Sequence, residues 1–132
     1  MADMETILKQ AVAAGASDVH LTVGLPPVFR IHGGLQAQVQ WPALDPGTAA
    51  ELVRPVLAER LEALKKQGET DFAYSLPGVS RFRVNVFYQR GSIGAAIRII
   101  AGRIPELEDL MLPPVVAELC RLDYGLVLVT GP

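Results

Sequence analysis

Apolar residues recur along this chain with two different periods, and the switches between them divide it into elements. Met4, Ile7, Leu8, Ala11 and Val12 fall at i, i+3, i+4, i+7 and i+8, one stripe of a helix, with Asp3 placed to cap it and Gly15 to stop it. Ser17 to Val23 is rich in β-branched residues and predicts a strand that Pro26-Pro27 ends. Val28 to Ile31 and Leu35 to Trp41 flank His32-Gly33-Gly34 and predict a hairpin. Asp45, Pro46 and the capping-box spacing of Thr48 and Glu51 mark a helix start. Leu52, Val53, Val56, Leu57, Leu61 and Leu64 carry its apolar face to Gly68, and Pro55, which lacks a donor for the helical ladder, is expected to kink or divide it. Asp71 to Leu76, Val79 to Arg90 and Ser92 to Ile100 then read as three consecutive strands, with turns at Pro77-Gly78 and Arg90-Gly91. The pattern is α+β: an antiparallel meander with helices packed on one face.

The tail changes character. Ala101 to Pro105 reads as a linker, Pro113-Pro114 opens a helix to roughly Leu122, and Gly125 to Val129 forms a wholly apolar run. Such a run predicts a parallel strand buried on both faces, and nothing earlier in the chain supplies a sheet of that kind.

With 132 residues, half of them apolar and a fifth charged, the chain has room for one packed domain and little more. Its net charge of −2 argues against a generic nucleic-acid or anionic-membrane binder. One cysteine, Cys120, excludes an intramolecular disulfide and a cysteine-cluster metal site. No apolar run approaches the ~20 residues of a membrane-spanning helix, and the acidic start lacks the basic patch of a signal peptide. A cytoplasmic location is the expectation. The small net charge hides a segregation: residues 79 to 103 hold Arg81, Arg83, Arg90, Arg98 and Arg103 with no acid, whereas residues 104 to 123 hold five acids against Arg121.

In residues 81 to 90, alternation puts Phe82, Val84, Val86 and Tyr88 on a core face and Arg81, Arg83, Asn85, Phe87 and Gln89 on the other. A two-residue turn at Arg90-Gly91 would set Gln89 opposite Ser92 and therefore Arg83 opposite Arg98. Like charges so placed repel by up to about 1 kcal/mol. A site that keeps them there has an anion or a carboxylate to neutralise them, and guanidinium forks suit phosphate oxygens. The alternative is that Asp71 already pairs with Arg81 or Arg83 while Arg98 is merely solvated. At the C-terminal end, Val127 to Pro132 is an apolar strand running into Gly131, which is how a phosphate-binding P-loop begins and also a common way for a strand to end.

Residues 15–33 (GASDVHLTVGLPPVFRIHG), 69–87 (ETDFAYSLPGVSRFRVNVF), 95–100 (AAIRII) and 125–132 (GLVLVTGP) together resemble the PilT-type ATPases of type IV pilus retraction, within the larger secretion-ATPase family. The resemblance implies a PAS-like N-terminal domain over residues 1–100, a linker over 101–106, and over 107–132 the helix-strand start of a RecA-like ATPase domain that stops inside Walker A. It implies that Arg81, Arg83 and Arg98 contact ATP phosphates, that Gly131 begins Walker A, and that Arg30 could approach the adenine or ribose end. ATP and Mg²⁺ would serve the parent protein. The partners would be a neighbouring subunit's ATPase domain in a homo-hexamer and an inner-membrane platform protein at the pilus base, with no nucleic acid.

Without the Walker A lysine or the catalytic acids, this polypeptide alone is expected not to hydrolyse ATP, and residues 107–132 to self-associate. The alternatives are the N-terminal domain of a pilus-assembly or type II secretion ATPase, and a free-standing PAS-like sensor of a small ligand. His20 with Asp18 offers too few ligands for a zinc site, so a structural hydrogen bond is expected for it. His32 is expected at the surface, Cys120 as a buried or indifferent thiol, and Glu51, Glu59 and Glu62 as a solvated helix face.

Overall fold

The computed structural model describes residues 3–102 and 104–131. They belong to two units, Met1–Gly102 and Arg103–Pro132.

In the first unit, helix α1 (Met4–Ala13) starts where the Asp3 carboxylate accepts the Thr6 N–H at 2.7 Å, and its stripe of Met4, Ile7, Leu8 and Ala11 is buried. Strands β1 (Asp18–Leu21), β2 (Val28–Ile31) and β3 (Gly34–Ala37) follow. β2 and β3 are joined by a two-residue turn in which His32 and Gly33 take φ of 49° and 81°. β3 ends at Ala37, short of Trp41; it is the edge strand of the sheet and all four of its residues are exposed.

Helix α2 (Pro46–Leu57) is capped by Asp45, whose carboxylate accepts both the N–H and the hydroxyl of Thr48 at 2.9 and 2.7 Å. Thr48 is thus a donor to the cap, and the expected Thr48–Glu51 box is not used. Pro55 lies inside α2. The division comes three residues later, at Ala58, where φ turns to 46° and a 3₁₀ turn (Ala58–Arg60) leads into α3 (Leu61–Gln67).

Strands β4 (Glu69–Leu76), β5 (Ser80–Gln89) and β6 (Ser92–Ile100) complete one six-stranded sheet, ordered β3-β2-β1-β6-β5-β4 and antiparallel throughout. β1 sits between β2 and β6, so it joins the first hairpin to the meander. One face of the sheet presents Val19, Leu21, Phe29, Phe82, Val84, Val86, Ala95 and Ile97, all buried in one core with α1 and α2. Tyr88, expected on this face, is 41% exposed at the hairpin end, past the buried stretch of β5. The opposite, outer face carries no helix of this unit.

In the second unit, α4 (Val115–Leu119) is shorter than the expected helix. Residues 125–129, expected to form a strand, form none. Among the described residues this unit offers no neighbouring strand, and a lone strand leaves its N–H and C=O groups without partners. Leu122, Leu126 and Val129 are exposed.

Candidate functional site

The outer face of the sheet gathers the charge that the sequence segregates. Arg90 and Gly91 form the two-residue turn, with φ of 50° and 77°, and this fixes Gln89 opposite Ser92. The register then places Arg83 directly opposite Arg98, as the turn predicts. On its other side Arg98 faces Asp18, and Asp18 faces Arg30. A single row across β2, β1, β6 and β5 therefore reads Arg30, Asp18, Arg98, Arg83. Asp71 stands on β4 opposite Asn85, one outward-facing position along from Arg83.

The two arginines of the hairpin are held differently. Arg83 donates Nε to both Asp71 oxygens at 3.1 and 3.2 Å, and Nη2 to Asp71 Oδ2 at 3.0 Å. Arg98 donates only Nε, to Asp18 Oδ1 at 3.0 Å. Asp18 also accepts the Ser17 hydroxyl at 2.8 Å and lies 3.5 Å from Arg30 Nε, while Arg30 Nη1 donates to the Gly33 carbonyl at 3.1 Å. The guanidinium ends stay in solvent, with side chains of Arg83 and Arg98 67% and 70% exposed, but Asp18 is only 13% exposed. Asp18, Asp71, Arg83, Asn85, Ala96 and Arg98 line a shallow cavity of about 150 Å³.

Electrostatics follow the contacts. Hydrogen bonds from Arg83, and then its charge, hold Asp71 below the usual carboxylate range. Burial pushes Asp18 upward, but hydrogen bonds from Ser17 and Arg98 and the charges of Arg98 and Arg30 outweigh it, so Asp18 also lies low. Asp71 in turn raises Arg83. Both acids are ionised at neutral pH, and the face remains net positive, with Arg30, Arg81, Arg83 and Arg98 against Asp18, Asp71 and Glu69.

Arg81 lies on the same face opposite Ile100, outside the cavity lining, and makes no hydrogen bond or ion pair through its side chain among the described residues. The structure thus brings Arg83 and Arg98 together, sets Arg81 beside them and puts Arg30 across Asp18. Asp71 takes Arg83, as the solvated alternative supposed, but Arg98 is not merely solvated. His20 Nε2 is buried with no hydrogen-bond partner among the described residues, contrary to the expected structural bond. Cys120 is exposed. Among the described residues no group of three or more His, Cys, Asp or Glu could hold a metal ion, and no helix is long and apolar enough to cross a membrane. Asp18 is the site residue the sequence reading misses: its role depends on β1 lying beside β6, a pairing of residues 80 positions apart.

No protein-family model matches the chain. The type IV pilus retraction ATPase PilT of Pseudomonas aeruginosa is 35% identical over 131 residues, 98% of this chain and 38% of that protein. The type IV pilus ATPase PilU of the same organism is 35% identical over 130 residues, again 98% of this chain but 34% of the relative. A crystal structure of the pilus retraction motor PilT with bound ADP matches with a TM-score of 0.81 and 44% identity, over 100% of this chain and 39% of that one. The chain spans less than two-fifths of the length of these relatives.

The six-stranded antiparallel sheet with helices on one face is the α+β fold of the secretion-ATPase class. Within that class the chain belongs to the PilT-type family and corresponds to the N-terminal region of its members.

Proposed function

We propose that this chain is the nucleotide-sensing and subunit-packing module of a hexameric P-loop motor ATPase that drives type IV pilus retraction and twitching motility. The observation that carries the reading is the cross-strand pair of Arg83 and Arg98, with solvent-exposed guanidinium ends on a sheet face that carries no helix of its own unit among the described residues. Guanidinium groups stay charged at every working pH and meet phosphate oxygens in bidentate fashion. Residues 1–100 form the sensing domain, 101–106 the linker, and 107–132 the start of the ATPase domain, with Gly131 opening Walker A.

In this reading ATP and Mg²⁺ are held mainly by the ATPase domain of an adjoining subunit, and ATP supplies the phosphoanhydride bond whose hydrolysis drives motion. Arg81, Arg83 and Arg98 engage the phosphates across the subunit boundary and stabilise charge that develops there. Arg30, beyond Asp18, serves the ribose or adenine end. Release of the arginines after hydrolysis lets the domain swing, so its position follows the nucleotide state. The motor works on the cytoplasmic side of the pilus base, against an inner-membrane platform protein. Exposed apolar residues within 107–132, Leu122, Leu126 and Val129 among them, promote self-association.

The experiment is ATP turnover by the longer protein that this reading requires, carrying Arg83→Ala or Arg98→Ala. Loss of one such donor lowers kcat by about a hundredfold or more, with little change in thermal unfolding. Unchanged kcat in both variants contradicts the proposal.

A further inference from the structure

Away from the arginine row, the end of the sheet near the Arg90-Gly91 turn carries two shallow cavities that share Ile93 as a wall. One, of about 150 Å³, lies against the helices, and its lining includes Val53, Leu57, Leu61 and Arg54. The other, of about 170 Å³, runs from Ile93 past Val23 to Arg90. Arg54 and Arg90 are the charged residues of the two linings. Both are exposed, and neither side chain has a hydrogen bond or ion pair among the described residues. Glu51, Glu59 and Glu62 lie on the same stretch of helix but line neither cavity.

An apolar floor with a cation toward each end fits a segment that carries leucines and acids together. This chain contains one. In residues 104–112, Glu106 and Glu108 are exposed and their carboxylates have no partner among the described residues. Ile104, Leu110 and Leu112 are exposed beside them. The N–H groups of Leu110 and Met111 donate to the Leu107 and Glu108 carbonyls, which holds the stretch in a short turn.

We infer that the groove at Ile93 receives residues 104–112 of a second copy of this chain. Arg54 and Arg90 face Glu106 and Glu108, and the leucines lie over Ile93 and Leu61. The inference rests on the subunit-packing part of the reading above and is independent of its phosphate part. Groove and segment are different surfaces, so the contact is head-to-tail, the kind that can close into a ring. Exposed ion pairs add little affinity, and here they choose the partner and its register while apolar burial supplies the attraction.

The test is sedimentation of the 132-residue chain at rising concentration, for the wild type, Arg54→Glu/Arg90→Glu, Glu106→Lys/Glu108→Lys and their equimolar mixture. Each double variant alone is expected to associate about tenfold more weakly, because two attractions become two repulsions. The mixture is expected to regain the wild-type affinity, since each altered groove then meets a segment of opposite charge. Added salt weakens association of the wild type. All four positions are exposed, and thermal melts establish that the fold is kept. If the arginine variant loses its fold, Glu106→Lys/Glu108→Lys carries the same expectation by itself.

Wild-type association that neither variant weakens, or weakened association that the mixture fails to restore, would overturn the inference and leave self-association standing. A chain that stays monomeric at every concentration would overturn both. The phosphate reading is untouched by either result.

Discussion

Arg83 on β5 faces Arg98 on β6 as a direct cross-strand pair, and each guanidinium is bound to a carboxylate from a strand outside the hairpin, Asp71 from β4 and Asp18 from β1. Like charges so placed repel by up to about 1 kcal/mol. The acids offset that repulsion without sealing the arginines inside, since both guanidinium ends remain in solvent. The face is therefore stable with no anion bound, and its guanidinium ends stay accessible.

The two acids should separate in their effect on stability. Asp18→Ala removes a nearly buried acceptor from the Ser17 and Arg98 hydrogen bonds and the Arg30 ion pair and is expected to cost about 1.5–3 kcal/mol. Asp71→Ala loses one exposed pair and is expected to change stability by less than about 1 kcal/mol. Urea denaturation of both variants beside the wild type checks the contrast.

Acid should weaken the fold through the same residues. Folding lowers the carboxyl pKa of both Asp18 and Asp71, so their contribution is complete above the unfolded value of about 3.9 and disappears as pH falls through the folded values. Urea midpoints are expected to drop between pH 5 and pH 2, with a shallower drop in Asp18→Asn. An equal slope in wild type and variant would count against Asp18 as a stabilising ion pair.

Gly94 is fixed by a close approach on the outer face. A Cβ there would meet the Phe87 ring at 2.9 Å and the Leu21 carbonyl oxygen at 3.2 Å. Gly94→Ala is expected to destabilise by about 1–3 kcal/mol, as overpacking does. Phe87→Leu in the same chain should recover part of that loss, which thermal melts of the single and double variants would reveal.

Ala58 takes φ of 46° and ψ of −122° at the break after α2, a conformation that glycine adopts without the clash of a Cβ. Ala58→Gly is expected to stabilise the chain by roughly 1 kcal/mol, read as an upward shift in melting temperature.

Much of this architecture is legible in local patterns because short-range chemistry decides it. Asp3 and Asp45 cap where they stand, and the Arg90-Gly91 turn sets the hairpin register through backbone twist, which alone pairs Arg83 with Arg98. Asp71 could be named as an arginine partner because β4 precedes β5 directly. The role of Asp18 could not, since it depends on β1 packing beside β6, and no local signal encodes that neighbour. Pro55 marks the helix break only to within a turn, because the proline removes a donor whereas the chain reverses at Ala58. The strand expected at 125–129 fails for a related reason. Its apolar pattern describes a sheet interior, and a strand needs a neighbour to pair with.

The central claim is that Arg83 and Arg98 meet nucleotide phosphates across a subunit boundary. Its most direct measurement is a crystal structure of the longer assembled protein with a non-hydrolysable ATP analogue and Mg²⁺. The account expects guanidinium nitrogens of both residues within about 3 Å of phosphate oxygens bound to the adjoining subunit. Guanidinium nitrogens of both residues out of reach of every phosphate oxygen would contradict it.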